Sequence, residues 1–220
     1  MPGMRAALCV LLVGFTGTVA GQRFDAAAAL KQAEREVPSL ADVLELKAGM
    51  FVADVGAGFG AWTVTMARRI GPSGRVYATE IGTEQLTAIR AAVARERLEN
   101  VVVLEGSVGS ANLPDGCCDA VFLRDVYHHL TRPEAFDKSI VSALRPGGRL
   151  AIIDFEPEPG SKTPSGVPPN RGGHGISPSL IVSEFSAAGL AHAQTLRTWP
   201  TDSTDVRPYF LVLFRKSRTK

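Results

Sequence analysis

At 220 residues with 45% hydrophobic content, the chain can bury one sizeable core and has little left for a second. Its 24 basic and 22 acidic residues give a net charge of +2 and are interspersed, apart from a short basic end at Arg215, Lys216, Arg218 and Lys220. That balance excludes the basic stripe of a nucleic-acid binder.

Residues 1–21 read differently from the rest. Arg5 supplies a positive start, 6–15 form an apolar run, and Thr18-Val19-Ala20-Gly21 offers small residues for cleavage, the pattern of a secretory signal peptide. The run is too short for a comfortable membrane span. An apolar helix lying on the domain is the alternative. The pattern predicts an exported or N-terminally anchored protein, with a cytoplasmic location as the other outcome. Any membrane contact would then come through this segment alone, and residues 22–220 form a single domain. No oligomeric state can be read from the sequence.

Helical patterns over 24–36 and 40–46, separated by Pro38, come next and are expected to cover one edge of a pocket. Strands and helices then alternate: strand 51–55, helix 60–70, strand 75–79, helix 83–97, strand 101–105, strand 119–124, helix 132–144 and strand 149–154. Such a βα order implies an α/β, Rossmann-like doubly wound sheet with right-handed crossovers. Residues 106–118 hold at most a partial helix. Residues 156–175 are dense in Pro and Gly and read as a long loop. Ser177-Pro178 opens a helix to about residue 188, and strands near 191–199 and 208–215 follow. The turn-like 201–205 between them makes the last of seven strands antiparallel. Cys117 and Cys118 read as small apolar fillers, and with no third or fourth partner at zinc-ligand spacing they predict no metal set.

The chemistry starts at Val52-Ala53-Asp54-Val55-Gly56-Ala57-Gly58-Phe59-Gly60, a buried strand that ends in a glycine turn and opens a helix. Glycine turns let a ligand lie against the main chain. Asp54 at the strand end would repel a pyrophosphate and attract an ammonium or sulfonium. About 20 residues beyond the last glycine, Arg75-Val76-Tyr77-Ala78-Thr79 ends in Glu80, where a Rossmann-type fold places the acid that bonds a ribose diol.

Asp54 to Gly60 resembles motif I of the class I S-adenosylmethionine-dependent methyltransferases. The segments Cys118-Asp119-Ala120-Val121-Phe122-Leu123-Arg124-Asp125-Val126-Tyr127-His128-His129-Leu130 and Leu144-Arg145-Pro146-Gly147-Gly148-Arg149-Leu150 resemble the family's fourth strand and its entry to strand five. The likeness runs roughly over residues 40–216. It implies S-adenosylmethionine as cofactor and a small molecule as methyl acceptor, with the small-molecule group that includes quinone C-methyltransferases most similar. It also implies cofactor contacts from Asp54, Gly56, Ala57, Gly58, Gly60, Glu80, Ile81 (at the adenine face), Leu123 (through its carbonyl) and Arg124. Ser107 stands where the family often has an acid for the adenine amino group, so a hydroxyl or backbone group would substitute.

Asp125 and His128 are the candidate catalytic pair, a histidine beside an aspartate being able to take a proton from an acceptor. The competing account of His128 and His129 is packing against the following helix. Asp154 ends strand five, where it could lie against an acceptor or cap the following turn, and His174 in the long loop could close over an acceptor or be solvated. A methyl transfer needs little acid or base help once nucleophile, carbon and sulfur are aligned. Two rival functions fit parts of the pattern. Gly56-x-Gly58-x-x-Ala61 satisfies the relaxed dinucleotide fingerprint of a nicotinamide-dependent oxidoreductase, although Asp54 and the antiparallel last strand oppose it and no Tyr-x-x-x-Lys pair is present. A binding protein that keeps the cofactor pocket without chemistry is the other.

Overall fold

The structure is a computed structural model that describes residues 25–200 and 208–218. The signal-like segment and the 201–205 turn lie outside these residues.

Seven strands form one sheet: β1 (Phe51–Val55), β2 (Arg75–Glu80), β3 (Val101–Glu105), β4 (Cys118–Arg124), β5 (Leu144–Phe155), β6 (Ala191–Trp199) and β7 (Tyr209–Arg215). Their order is β3-β2-β1-β4-β5-β7-β6, with β7 antiparallel to both neighbours and the other pairings parallel. The centre is apolar without alternation because helices cover both faces: in β1 and β4, Val52 to Val55 and Ala120 to Leu123 are all buried. Five helices supply that cover: α1 (Ala26–Val43), α2 (Ala61–Ile70), α3 (Thr83–Arg95), α4 (Pro133–Ala143) and α5 (Pro178–Ala187). One core layer packs Val37, Leu40, Met66 and Ile70 of α1 and α2 against Val52, Phe122 and Ile153. The other packs Phe136, Ile140, Ile181 and Phe185 of α4 and α5 against Val121, Leu150 and Val212.

The sequence expectation differs from this fold in a few places. The two N-terminal helical patterns are one helix that runs through Pro38. Pro38 lies on the exposed side, where water can bond the carbonyl that the missing N–H leaves free, while Glu36, Val37, Leu40 and Ala41 hold the opposite side in the core. Residues 106–117 form no helix; Ser107 and Ser110 close a tight antiparallel bridge instead. Cys117 and Cys118 are buried as fillers would be, but their sulfurs are bonded to each other. Among the described residues no helix is long and apolar enough to cross a membrane.

β1 lies beside β4, where the order of strands reverses direction across the sheet. In open α/β sheets that reversal leaves a crevice at the carboxyl ends of the strands.

Candidate active site

A cavity of about 760 Å³ opens in that crevice, within the size range of small-molecule sites. Its floor is the turn after β1. Gly56 takes φ +72°, and a Cβ there would fall 2.4 Å from Val126 Cγ2, so the backbone after β1 passes directly against the loop after β4. Gly60 caps α2 in the left-handed region at φ +87°. The main-chain N–H groups of Gly56 and Ala57 both donate to Thr79 O, which ties the turn to β2. Gly56→Ala is expected to lower stability by about 2–4 kcal/mol through left-handed strain and the Val126 clash. Urea unfolding would read this as a lower midpoint at unchanged slope.

Two carboxylates face the turn from different surroundings. Glu80, at the end of β2, accepts from the Gly58 N–H (3.0 Å) and the Ile81 N–H (2.7 Å). Those bonds aim the carboxylate and leave further lone pairs for a ligand's hydroxyls. Asp54 is buried and accepts from the Thr63 hydroxyl on α2 at 2.6 Å. Burial pushes its carboxyl up to about 7, the Thr63 bond opposes the shift, and the nearby Glu80 charge adds to it.

At the far end of the turn, Ile81 and Val108 are the large hydrophobics most open to solvent among the described residues, at 57% and 51%, and both line the cavity. Two exposed apolar side chains flanking one slot fit a flat aromatic ring. Gly106, Ser107 and Ser110 form the rim there, with the Ser107 N–H donating to Ser110 O at 2.7 Å.

The opposite end is walled by Gln32, Trp62, Arg124, Asp125, His129 and Tyr209. Arg124 donates through Nε to both oxygens of Glu36 (3.2 and 2.9 Å) and lies over the rings of Trp62 and Tyr209. Trp199 Nε1 donates to the same Glu36 at 2.9 Å. Asp125 is held at φ +60°, a sparsely populated conformation for a non-glycine residue, and takes a hydrogen bond from Tyr209. Burial, and then the Asp125 charge, push the Tyr209 phenol up to about 12, so it stands as a neutral donor at neutral pH.

Behind this wall sits His128, 1% exposed, its Nδ1 2.8 Å from Asp154 Oδ1. Asp154 also accepts from the main-chain N–H groups of His128 and Phe155. Because the carboxylate accepts throughout, Nδ1 carries the ring proton and Nε2 the lone pair. His129 and His174 pack against the same ring. Desolvation, followed by His128 and His174, holds the His129 imidazole below its ordinary range.

The structure therefore brings Asp54, Gly56, Ala57, Gly58, Glu80, Ile81, Ser107, Arg124 and Asp125 to one cavity, with Gly60 opening α2 beside them. Besides Gly60, it leaves two expected residues outside the wall. Leu123 is fully buried within β4 and does not line the cavity. His128 is covered by its neighbours, and His129 is the histidine that reaches the cavity, because the 3-10 turn Tyr127–His129 points the two side chains differently. Glu36, Trp62, Val108 and Tyr209 carry no sequence signal of a site. Only the folding of α1, α2, the loop after β3 and β7 around the cavity makes them visible.

The sheet order, the antiparallel last strand and the glycine turn facing an acidic β2 end are those of the class I S-adenosylmethionine-dependent methyltransferase fold, whose members take S-adenosylmethionine as cofactor. Residues 53–152 match the family model described as a methyltransferase domain. The chain is 32% identical over 114 residues to a ubiquinone/menaquinone biosynthesis C-methyltransferase of Chromobacterium violaceum, covering 50% of this chain and 45% of that protein. It is 35% identical over 120 residues to a protein-L-isoaspartate O-methyltransferase of Methanothrix thermoacetophila, covering 53% and 52%. The chain thus spans about half the length of these curated relatives. A crystal structure of a SAM-dependent methyltransferase from Aquifex aeolicus superimposes with a TM-score of 0.68 at 26% identity, over 88% of this chain and 99% of that one.

Proposed function

We propose that the chain transfers a methyl group from S-adenosylmethionine to a small-molecule acceptor. The observation that carries this reading is Glu80, whose carboxylate is aimed into the cavity by the Gly58 and Ile81 amides. Glu80 would accept from the ribose diol, Ile81 and Val108 would flank the adenine, and Ser107 would bond its edge. Asp54 would face the methionine end directly or through water, with Thr63 holding it in place. Bound there, the cofactor supplies a methyl carbon already activated by a sulfonium, so the protein's task is alignment and exclusion of water. Trp62, Tyr209 and His129 present rings on the acceptor side, and the Arg124 charge between two of them is neutralised by Glu36. Such a wall favours a flat, weakly polar acceptor. Quinone-like and phenolic compounds are therefore the first class to test, in keeping with the quinone methyltransferases among the relatives.

Titration calorimetry of the full chain is expected to show saturable binding of S-adenosylmethionine and S-adenosylhomocysteine and none of NAD. Glu80→Gln should weaken both by about 10–100-fold, the worth of charge-assisted bonds to the diol. Binding of NAD alone, or affinity unchanged in Glu80→Gln, would overturn the reading. Product formation is then followed as S-adenosylhomocysteine released in the presence of each acceptor.

Export belongs to the same proposal. The charged start, apolar run and small-residue site in residues 1–21 support a cleaved signal or retained anchor. N-terminal mass analysis of the expressed protein tests it: an intact Met1 in a soluble cytoplasmic fraction would end the idea.

A further inference from the structure

Nothing in the spacing of the histidines along the chain brings His174 to His128, 46 residues away. The long loop between β5 and α5 does so by folding back on the strand it leaves. Glu158 N–H donates to His174 O, the His174 N–H donates to Ser161 Oγ at 2.8 Å, and the Ile176 N–H donates to Phe155 O. Gly175 takes φ +122° and passes so close to β5 that a Cβ would meet Glu156 O at 2.8 Å. Arg171, buried in the same loop, donates to Glu184 of α5 at 2.7 Å, and Glu184 in turn accepts from the Tyr127 hydroxyl. The loop is thereby fastened on both sides of His174.

The result is three imidazoles that each present a ligand atom within 4.8 Å of the other two. His128 Nε2 is buried and has no hydrogen-bond partner among the described residues. A buried lone pair without a donor is costly unless something else satisfies it. Its other nitrogen is fixed by a fully buried carboxylate, the arrangement that sets tautomer, orientation and basicity in metal-ligating histidines. In a tetrahedral site with metal–nitrogen bonds of about 2.0–2.1 Å the ligand nitrogens lie about 3.4 Å apart, so closing a set now within 4.8 Å needs shifts of up to about an ångström per ring. His129 is exposed and His174 half-buried, which leaves those two rings free to make the adjustment.

We propose that His128, His129 and His174 form a binding site for a divalent transition-metal ion of the zinc type, with Asp154 positioning His128. Three imidazoles select zinc, nickel, cobalt or copper and disfavour magnesium and calcium, which take oxygen ligands. The expectation of no metal set considered only the cysteines and is replaced by this one. Because His129 also lines the cavity, the ion's remaining position faces the acceptor end, where an oxygen, nitrogen or sulfur donor of the acceptor can reach it. That use rests on the methyltransferase reading; binding of the ion does not.

The test uses the untagged full chain, stripped with a chelator, dialysed and titrated with Zn²⁺ and, as a hard-ion control, Mg²⁺. One zinc per chain is expected, with no saturable magnesium binding. His174→Ala and His129→Ala should each weaken zinc by at least about tenfold, Asp154→Asn by about 10–100-fold, and His192→Ala, outside the cluster, should change nothing. X-ray absorption at the zinc edge of the unaltered protein counts imidazole donors without relying on any variant. Three support the site; none or one overturns it, as does zinc binding that persists in a His129→Ala/His174→Ala double variant. Each sample is also titrated with S-adenosylhomocysteine. Loss of zinc with that binding intact removes the metal site and leaves the methyltransferase reading, and the reverse pattern does the opposite.

Discussion

Asp54→Asn is expected to abolish measurable cofactor binding while making the ligand-free protein more stable above pH 7. Both effects follow from one buried carboxyl raised to about 7. In the unfolded chain an ordinary aspartate releases its proton near 3.8, so between 3.8 and about 7 the folded state holds a proton that the unfolded state has lost. Stability falls with rising pH wherever the native state binds more protons. Asp54 therefore costs nothing below about 4, a growing amount up to about 7, and a constant amount beyond. At about 1.4 kcal/mol per pH unit the gap sets a ceiling of about 4 kcal/mol. Asparagine carries no such charge and can still accept from Thr63, so thermal unfolding of the variant should lose this part of the pH dependence. A cationic ligand reverses the preference. Wild-type affinity for S-adenosylmethionine should weaken by up to about tenfold for each pH unit below 7, because binding must first ionise Asp54. A variant whose affinity stays near wild type, or a wild-type affinity flat between about pH 5.5 and 7, would remove Asp54 from the cofactor contacts.

The succession of strands and helices, and the gathering of the glycine turn and Glu80 at one place, were legible in the sequence because both depend on local pattern. Val52 to Val55, apolar but for Asp54, and Ala120 to Leu123 are buried runs that only a sheet covered on both faces accommodates, and the interval from Gly60 to Glu80 is the length of one helix and one strand. The acceptor end was not legible, because it depends on partners far apart in the chain. Glu36 looks like any charged residue of an amphipathic helix until Arg124 and Trp199 are seen to converge on it. His174 sits in a segment whose composition says only that it is irregular; the bonds that its own N–H donates to Ser161 and that the Ile176 N–H donates to Phe155 decide where it lands. The exchange between His128 and His129 has the same origin. Adjacent residues in a 3-10 turn face different ways, and only the buried Asp154 determines which of the two is drawn inward.

Glu36→Leu is expected to cost about 3–5 kcal/mol, more than a typical core substitution, because it strands two donors at once. The Glu36 carboxylate accepts from Arg124 Nε on β4 and from Trp199 Nε1 on β6, and so joins α1 to two separate strands across the cavity's acceptor side. Arg124 is only 12% exposed at its side chain and lies between the rings of Trp62 and Tyr209, where it has no room to swing into water. Removing the carboxylate leaves that guanidinium without its counter-charge and the Trp199 N–H without an acceptor. The loss comes from the unpaired partners rather than from the pair's own attraction, since burying both ions is itself expensive. A second substitution separates these accounts. Arg124→Met alone should also destabilise by leaving Glu36 charged and buried, whereas Glu36→Leu combined with Arg124→Met should cost well under the sum of the two, with a coupling of about 1–3 kcal/mol in urea unfolding. Strict additivity would mean that the ion pair contributes nothing to holding α1 over the site. The double variant also carries a consequence for function: with an apolar wall in place of a neutralised arginine, turnover of any phenolic acceptor should drop by more than S-adenosylhomocysteine affinity, because Glu80, the anchor for the ribose diol, lies at the other end of the cavity from Arg124.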